Sequence, residues 1–259
     1  MLSEVTGSME LTALVSYLDG YLRVGEVPDA PHAINGLQVA NSSGTVSRVA
    51  AAVDLCEATV HMAAEQGADL LLVHHGLFWG GLQPLTGRAH RRVAGLIASN
   101  IALYSAHLPL DLHPDVGNNA VLARQLGVSL RGEFGEEYGM RIGCWGEVDV
   151  SRDALERQLA SLTGRASRLM AFGPERVRRV GIVTGAAGSM IAQAAAAGLD
   201  TFVTGEGPHH TFLDAEELKM NVFYAGHYAT ETVGVKALAE HLHARFHLPW
   251  MFLDHPTGL

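Results

Sequence analysis

Cysteine and lysine are both scarce in this chain. Two cysteines, Cys56 and Cys144, stand far apart among 259 residues with no C-x-x-C spacing. That argues against a disulfide framework and a thiolate zinc site, and makes a reducing cytoplasm the simplest compartment. The only lysines are Lys219 and Lys236, and the remaining cations are arginines, spread along the chain except for the cluster Arg176, Arg178 and Arg179. With a formal net charge of −9 and no basic stripe, nucleic acid is disfavoured as a partner, because phosphate neutralisation supplies most of that affinity. Small anionic ligands stay compatible, since local fields can oppose the net charge. Long unbroken apolar runs are missing, and the opening MLSEVTGSMELTALVSYLDGYL has no basic n-region. No signal peptide or membrane span is expected. A P-loop, a dinucleotide fingerprint and a basic triphosphate clamp are likewise missing.

What is present is the composition of a globular protein, 48% hydrophobic and 17% charged, long enough for one large or two medium α/β domains. Leu11, Leu14, Val15, Leu18, Tyr21 and Leu22 recur at helical spacing. Gly25 to Asn35 reads as loop. Val49 to Val53 and Leu70 to Val73 read as buried strands around a helix over 56–66 that Gly67 stops. A helix over Arg91–Ser99, a strand over Ile101–Ser105 and a helix over Asn119–Leu126 ended by Gly127 come next. Beyond them the pattern gives a strand at Gly143–Val150, a helix between Ser151 and Gly164, a strand at Val177–Thr184 and an Ala-rich helix over 187–197. Strands at Thr201–Thr204 and Asn221–Ala225 precede a closing helix from about His227 to Phe246.

The segment GADLLLVHHG (67–76) is echoed without gaps by GLDTFVTGEG (198–207), 131 residues later. Each comes after an Ala-containing helix and a Val-containing strand, which reads as a duplicated α/β unit. The plainer alternative is that all βαβ units look alike. The expected fold is therefore α/β: two similar domains, each a mixed, mostly parallel sheet covered by helices, with a metal site in the cleft between them. The expected division is 1–130 with 223–259 as a discontinuous metal-binding domain, and 131–222 as the second domain.

Chemistry is to be sought in the 14 histidines. His74 and His75 end an apolar strand, where ligands gather in open α/β sheets. Adjacent strand residues face opposite ways, so the pair shares a site only if the chain leaves the strand there, as Gly76 permits. Otherwise one imidazole is buried and the other exposed. In SAHLPLDLHPDVGNN, Asp111 sits in a loop broken by Pro109 and Pro114 and flanked by His107 and His113. A carboxylate there can bridge two cations about 3.5–4 Å apart; alternatively Asp115 or Asn118 caps the next helix and the histidines, His113 above all, lie on the surface. In AGHYATETVG, His227 and Glu231 are four apart on one helix face that Val235, Leu238 and Leu242 continue inward. A buried glutamate needs a partner, and a metal provides one; a surface His–Glu pair is the alternative. In TGEGPHH, Glu206 stands opposite His75 in the echo and, with His209 and His210, suits either a contact behind the metal ligands or a substrate contact. The three main segments together point to a two-metal site built from His74, His75, Asp111, His227 and Glu231. Nitrogen and oxygen donors without thiolate suit zinc, manganese, iron, cobalt or nickel.

With these motifs in view, the chain resembles the Nif-three-like family of dinuclear-metal hexamers, whose bacterial members often carry the name GTP cyclohydrolase I type 2. NGLQV (35–39), HHGLFWGG (74–81), HLPLDLHPDVGNN (107–119) and GHYATETVG (226–234) recur in the expected order over nearly the whole chain. The resemblance implies two similar α/β domains and a homohexameric ring with metal pairs facing its interior. It places the metal ligands on the same five residues and implies two divalent ions per subunit. The family's TGD motif is Thr204-Gly205-Glu206 here, and the insertion some relatives carry between the domains is missing.

Two functions remain in view. One is a metal-dependent hydrolase acting on a nucleotide or related small molecule, GTP cyclohydrolase-like, with His107 as general acid/base because it lies close to Asp111 without being one of the five. The other is a non-enzymatic ring that binds or delivers metal, or docks a partner.

Overall fold

The computed structural model describes residues 7–259. Their contacts fall into two compact units, Met1–Leu110 with Val235–His255, and Asp111–Gly234 with Pro256–Leu259.

The first unit opens with β1 (Met9–Glu10) and α1 (Leu11–Tyr21), whose Leu11, Leu14 and Leu18 form the buried stripe that helical spacing expects. Three strands come after it: β2 (Gly36–Val39), β3 (Thr45–Val46) and β4 (Val49–Asp54). Helix α2 (Glu57–Glu65) starts at a reciprocal cap, in which the Cys56 sulfur accepts the Thr59 N–H (3.5 Å) and the Thr59 hydroxyl accepts the Cys56 N–H (2.9 Å). Gly67, at φ +64°, turns the chain out of α2. Next come β5 (Leu70–His75), α3 (Gly87–Ala98), β6 (Ala102–Ser105) and the single turn α4 (Leu108–Asp111). Asp111 thus closes a helical turn where the sequence suggested loop, because Pro109 is tolerated in a helix's first turn.

The second unit contains α5 (Asn118–Gln125) and the strands β7 (Ser129–Glu137) and β8 (Met140–Ser151). Tyr138 and Gly139, both at positive φ (+50° and +78°), make the two-residue turn that matches strand twist in a hairpin. Helix α6 (Arg152–Thr163) has its Ala154 N–H capped by the Ser151 hydroxyl (3.2 Å) and ends at Gly164, φ +72°. It leads to β9 (Arg168–Ala171), β10 (Arg176–Ile182), a 3-10 turn at Gly188–Met190, α7 (Ile191–Ala196), β11 (Thr201–Thr204), α8 (Thr211–Glu217), β12 (Asn221–Tyr224) and α9 (His227–Phe246). The second half of α9 and β13 (Trp250–Phe252) belong to the first unit again. No helix among the described residues is long and apolar enough to cross a membrane.

The first unit's sheet has the order β13-β4-β5-β6-β2, parallel except for β2. Val49–Val53 and Leu70–Val73 are fully buried, as unbroken apolar runs must be when helices cover both faces of a parallel sheet. The second unit's sheet has the order β7-β8-β10-β11-β12-β9; β10, β11 and β12 run parallel, with antiparallel strands outside them. The expected α/β architecture of parallel and mixed sheets under helices is what forms.

The echo is structural as well. Val49 pairs with Leu70 across β4–β5, and Val180 pairs with Thr201 across β10–β11, the same register 131 residues on. The Asp69 carboxylate accepts the N–H groups of Ser47 (2.7 Å) and Arg48 (3.0 Å). Asp200 does the same for Arg178 (3.0 Å) and Arg179 (2.9 Å). In each unit a third parallel strand and then an antiparallel edge complete the pattern. General βαβ packing does not require one aspartate to hold the same two amides twice, so the echo extends from sequence to strand register and hydrogen bonding.

Candidate metal centre

Parallel strands bring the residues at their carboxyl ends together at one edge of a sheet. In the first unit Asp54 ends β4, His75 ends β5, and His107 comes two residues after β6. Both His74 and His75 lie within β5, so the chain has not left the strand as the sequence argument required. Their rings nevertheless stay close, with centroids 4.7 Å apart and planes tilted by 49°. His107 joins them, 4.9 Å from His74 and 5.6 Å from His75, and one nitrogen from each ring can meet within 4.8 Å. Gly76 keeps the turn open: a Cβ there would run into the Gln38 amide and the Ser105 hydroxyl. That amide is itself held, since Gln38 donates to the Ile34 carbonyl (2.7 Å) and accepts the Leu77 N–H (2.7 Å).

Each of these imidazoles has its Nδ1 engaged. His74, fully buried, bonds the Ala106 carbonyl (2.8 Å). His75 bonds Asp54 (2.8 Å) and His107 bonds Asp29 (2.8 Å). A carbonyl or carboxylate partner puts the ring proton on Nδ1 and the lone pair on Nε2, the arrangement that orients metal-binding histidines. Asp29 is strongly fixed: it also accepts from Asn35 (2.8 Å) and from the Leu108 N–H (2.9 Å). Burial pushes its pKa up, but the hydrogen bond and charge of His107, with Asn35 and the Ala30 amide, outweigh this and hold it below the usual carboxylate range.

In the second unit Thr184 and Gly185 lie just past β10, Glu206 just past β11, and His227 starts the helix after β12. His227 repeats the pattern, its Nδ1 bonding Glu206 (2.7 Å) while Nε2 lies 3.2 Å from Glu231, one turn along α9. Burial opposes charge on His227, yet hydrogen bonds and attraction from Glu231 and then Glu206 prevail and push its pKa up to about 9. Glu231 is 3% exposed. Gly185 sits at φ +71° with its α-carbon facing the Glu231 carboxylate, leaving no room for a Cβ. Its neighbour Thr184 donates to Asp111 (3.3 Å), which also accepts from Asn118 (2.8 Å). Asn118 in turn accepts the Gly234 N–H from α9 (2.7 Å).

Asp111, His227 and Glu231 are thus held within one unit, and His74, His75 and His107 within the other. Glu206 meets the Nδ1 of His227, and His209 and His210 are exposed. His113 is buried rather than superficial, its Nδ1 accepting the N–H groups of Asp115 (3.2 Å) and Val116 (3.3 Å). Helix α5 is preceded by Gly117 with no side-chain cap, so neither Asp115 nor Asn118 serves there. The sequence reading missed Asp29, Asp54, Asn118 and Thr184. Asn35 and Asn118 lie inside the NGLQV and GNN motifs and were within reach; Asp29 and Asp54 stand next to no motif. The donor set suits a cation: imidazole nitrogens aimed by outer acceptors, and two buried carboxylates.

A family model described as Duf34/NIF3 (NGG1p interacting factor 3) matches residues 9–257. A Deinococcus radiodurans protein named GTP cyclohydrolase 1 type 2 homolog is 44% identical over 99% of this chain and 98% of its own length. A Halobacterium salinarum protein of the same name is 43% identical over 97% of this chain and 100% of its own. The crystal structure of TTHA1606 from Thermus thermophilus is 45% identical, covers 97% of this chain and 100% of its own, and superposes with a TM-score of 0.89.

Proposed function

Because this chain belongs to the Duf34/NIF3 family, we propose that it is a dinuclear metal protein in which His74, His75, Asp111, His227 and Glu231 hold two divalent cations. Zinc, manganese, iron, cobalt and nickel all suit these donors. One observation carries the reading: the Nδ1 atoms of His74, His75, His107 and His227 all bond oxygen acceptors, which leaves Nε2 as the metal-facing nitrogen of each ring, that of His227 beside the Glu231 carboxylate.

The reaction we propose is hydrolysis of a nucleotide or related small molecule, a class the relatives' name also suggests. A cation pair supplies Lewis acidity and a water acidic enough to lose its proton near pH 7. The protein's own part is to position and to move protons. Asp29 holds the His107 ring by its Nδ1, as the aspartate does in a Ser-His-Asp triad, which suits His107 to take a proton at Nε2 and return it to a leaving group. His107 also lies among the imidazoles that could hold a metal, and one variant separates the roles. His107→Gln should keep the metal content of the natural protein and lower turnover about 10²–10⁴-fold; loss of metal instead would make His107 a ligand.

The test is a hydrolysis screen over nucleotides, phosphoesters and cyclic amides with protein reloaded with each candidate metal. Saturable turnover abolished by Glu231→Gln supports the hydrolase. A metal-replete protein inert across the screen would leave a non-enzymatic metal-binding ring.

A further inference from the structure

Beside His75 the first unit has a cavity of about 350 Å³, at the lower end of the range for small-molecule sites. It lies between the chain leaving β5 and the start of α3, and His75, Trp79, Arg88 and Arg92 are among its walls. Arg88 and Arg92 are four apart on α3 and so share a face. Like charges at that spacing repel, and Arg88 sits in the first turn, where the helix dipole already disfavours a cation. Nothing local offsets this: the first turn of α3 holds no acidic residue, and Thr86 before it makes no capping bond.

The neighbouring carboxylates are committed elsewhere. Both oxygens of Glu57 bond Arg91, at 2.7 and 2.9 Å. Arg91 thereby holds Glu57 below the usual carboxylate range, and the charge of Arg92 adds only a smaller effect from a distance. Asp54, the carboxylate in the cavity wall, faces the Nδ1 of His75. The Nε of Arg92 is shut off from solvent and bonds no acceptor. By contrast, Arg176 and Arg178, which stood out in the sequence, both meet Asp149 (2.6 and 3.9 Å).

We infer that this cavity is the substrate subsite, and that it takes a phosphorylated heteroaromatic compound the size of a nucleoside monophosphate. The phosphate lies on Arg88 and Arg92, two guanidinium forks suited to its oxygens. The ring lies on Trp79, which keeps 41% of its surface exposed although one side packs against His75 (4.9 Å) and His107 (4.4 Å). Base–aromatic stacking tolerates any base, so the ring is specified as flat rather than as one purine or pyrimidine. A ligand held this way has its other end toward His75. The inference deepens the proposed function and rests on it for the word substrate; as a binding site it stands on its own.

The test measures binding of guanosine and adenosine 5′-monophosphate, guanosine and inorganic phosphate by calorimetry and tryptophan fluorescence, on the full protein before and after chelation. The natural protein should bind the monophosphates before and after chelation. Arg88→Ala with Arg92→Gln should weaken them at least tenfold, leave guanosine unchanged, and keep metal content and melting temperature. Trp79→Leu should weaken guanosine and the monophosphates alike and remove the fluorescence response. Monophosphates bound equally well by the arginine variant, or not at all at millimolar concentration, would overturn the subsite. Inorganic phosphate bound as tightly as the monophosphates, with no effect of Trp79→Leu, would overturn the aromatic half. Elemental analysis keeps the two readings apart: a protein without metal whose monophosphate binding still needs Arg88 and Arg92 retains the subsite and loses the dinuclear reading.

Discussion

His227 is the residue whose protonation should govern metal uptake. With its pKa pushed up to about 9 against an ordinary value of 6.5, it is cationic at neutral pH in the metal-free protein, held by Glu231 and Glu206. A metal must displace that proton, so apparent affinity should rise with pH up to about 9 and fall about tenfold per unit below it, read by metal-competition titration. The sign for metal-free stability is opposite. The folded pKa lies above the unfolded one, so this contribution is complete below about 6.5 and is lost as pH rises through about 9. Nitrogen-detected titration of His227 should find a lower pKa in Glu231→Gln, and an unmoved pKa would contradict the ion-pair account. The outer carboxylates carry a second expectation. Asp54→Asn or Glu206→Gln leaves all five proposed ligands in place, yet should weaken metal affinity about 10–100-fold. Affinity unchanged by either substitution would mean that the Nδ1 contacts do not aim the rings.

At the scale of elements, the ends of parallel strands and the start of α9 do the positioning, and two contacts there are open to test. Gly185 combines φ +71° with a face turned to the Glu231 carboxylate. Gly185→Ala should displace that carboxylate and lower metal content, a loss that calorimetric unfolding alone would understate. Asn118, fully buried, ties Asp111 to the Gly234 amide of α9. Asn118→Ala leaves both groups short of a bond and should cost about 1–3 kcal/mol in denaturant unfolding. Elements of this kind were unevenly legible in the sequence. Unbroken runs such as VAAAV and LLLV announced the central strands, and the spacing of Val235, Leu238 and Leu242 announced α9, because burial on both faces or on one stripe leaves a periodic trace. The edge strands β2, β9 and β13 are short and only partly buried, so they leave little trace. Helix α3 was expected to start at Arg91 and begins instead at Gly87, without a capping bond to mark it. Arg88 lies outside the expected helix, so the spacing that pairs it with Arg92 carries no signal there.

For the whole molecule, long-range pairing separates what was legible from what was not. The histidines and carboxylates proposed as ligands could be read from sequence because each sits in a local motif at a strand end or on a helix face. The group that aims His107 could not, because Asp29 lies 78 residues away in a loop of ordinary composition. The likeness of the two units was legible as a gapless echo, and the two aspartates that hold equivalent amides give it physical content. Assembly belongs to this scale too: a homohexamer should have six times the chain mass in light scattering, and a monomer at all concentrations would rule out the ring. Above all, His74, His75, Asp111, His227 and Glu231 are proposed to serve one pair of cations. The direct measurement is metal stoichiometry after equilibrium dialysis for the natural protein, His75→Ala and Glu231→Gln. Two ions per chain, with occupancy falling in either variant, is the expected result. Two ions retained in both variants would contradict it.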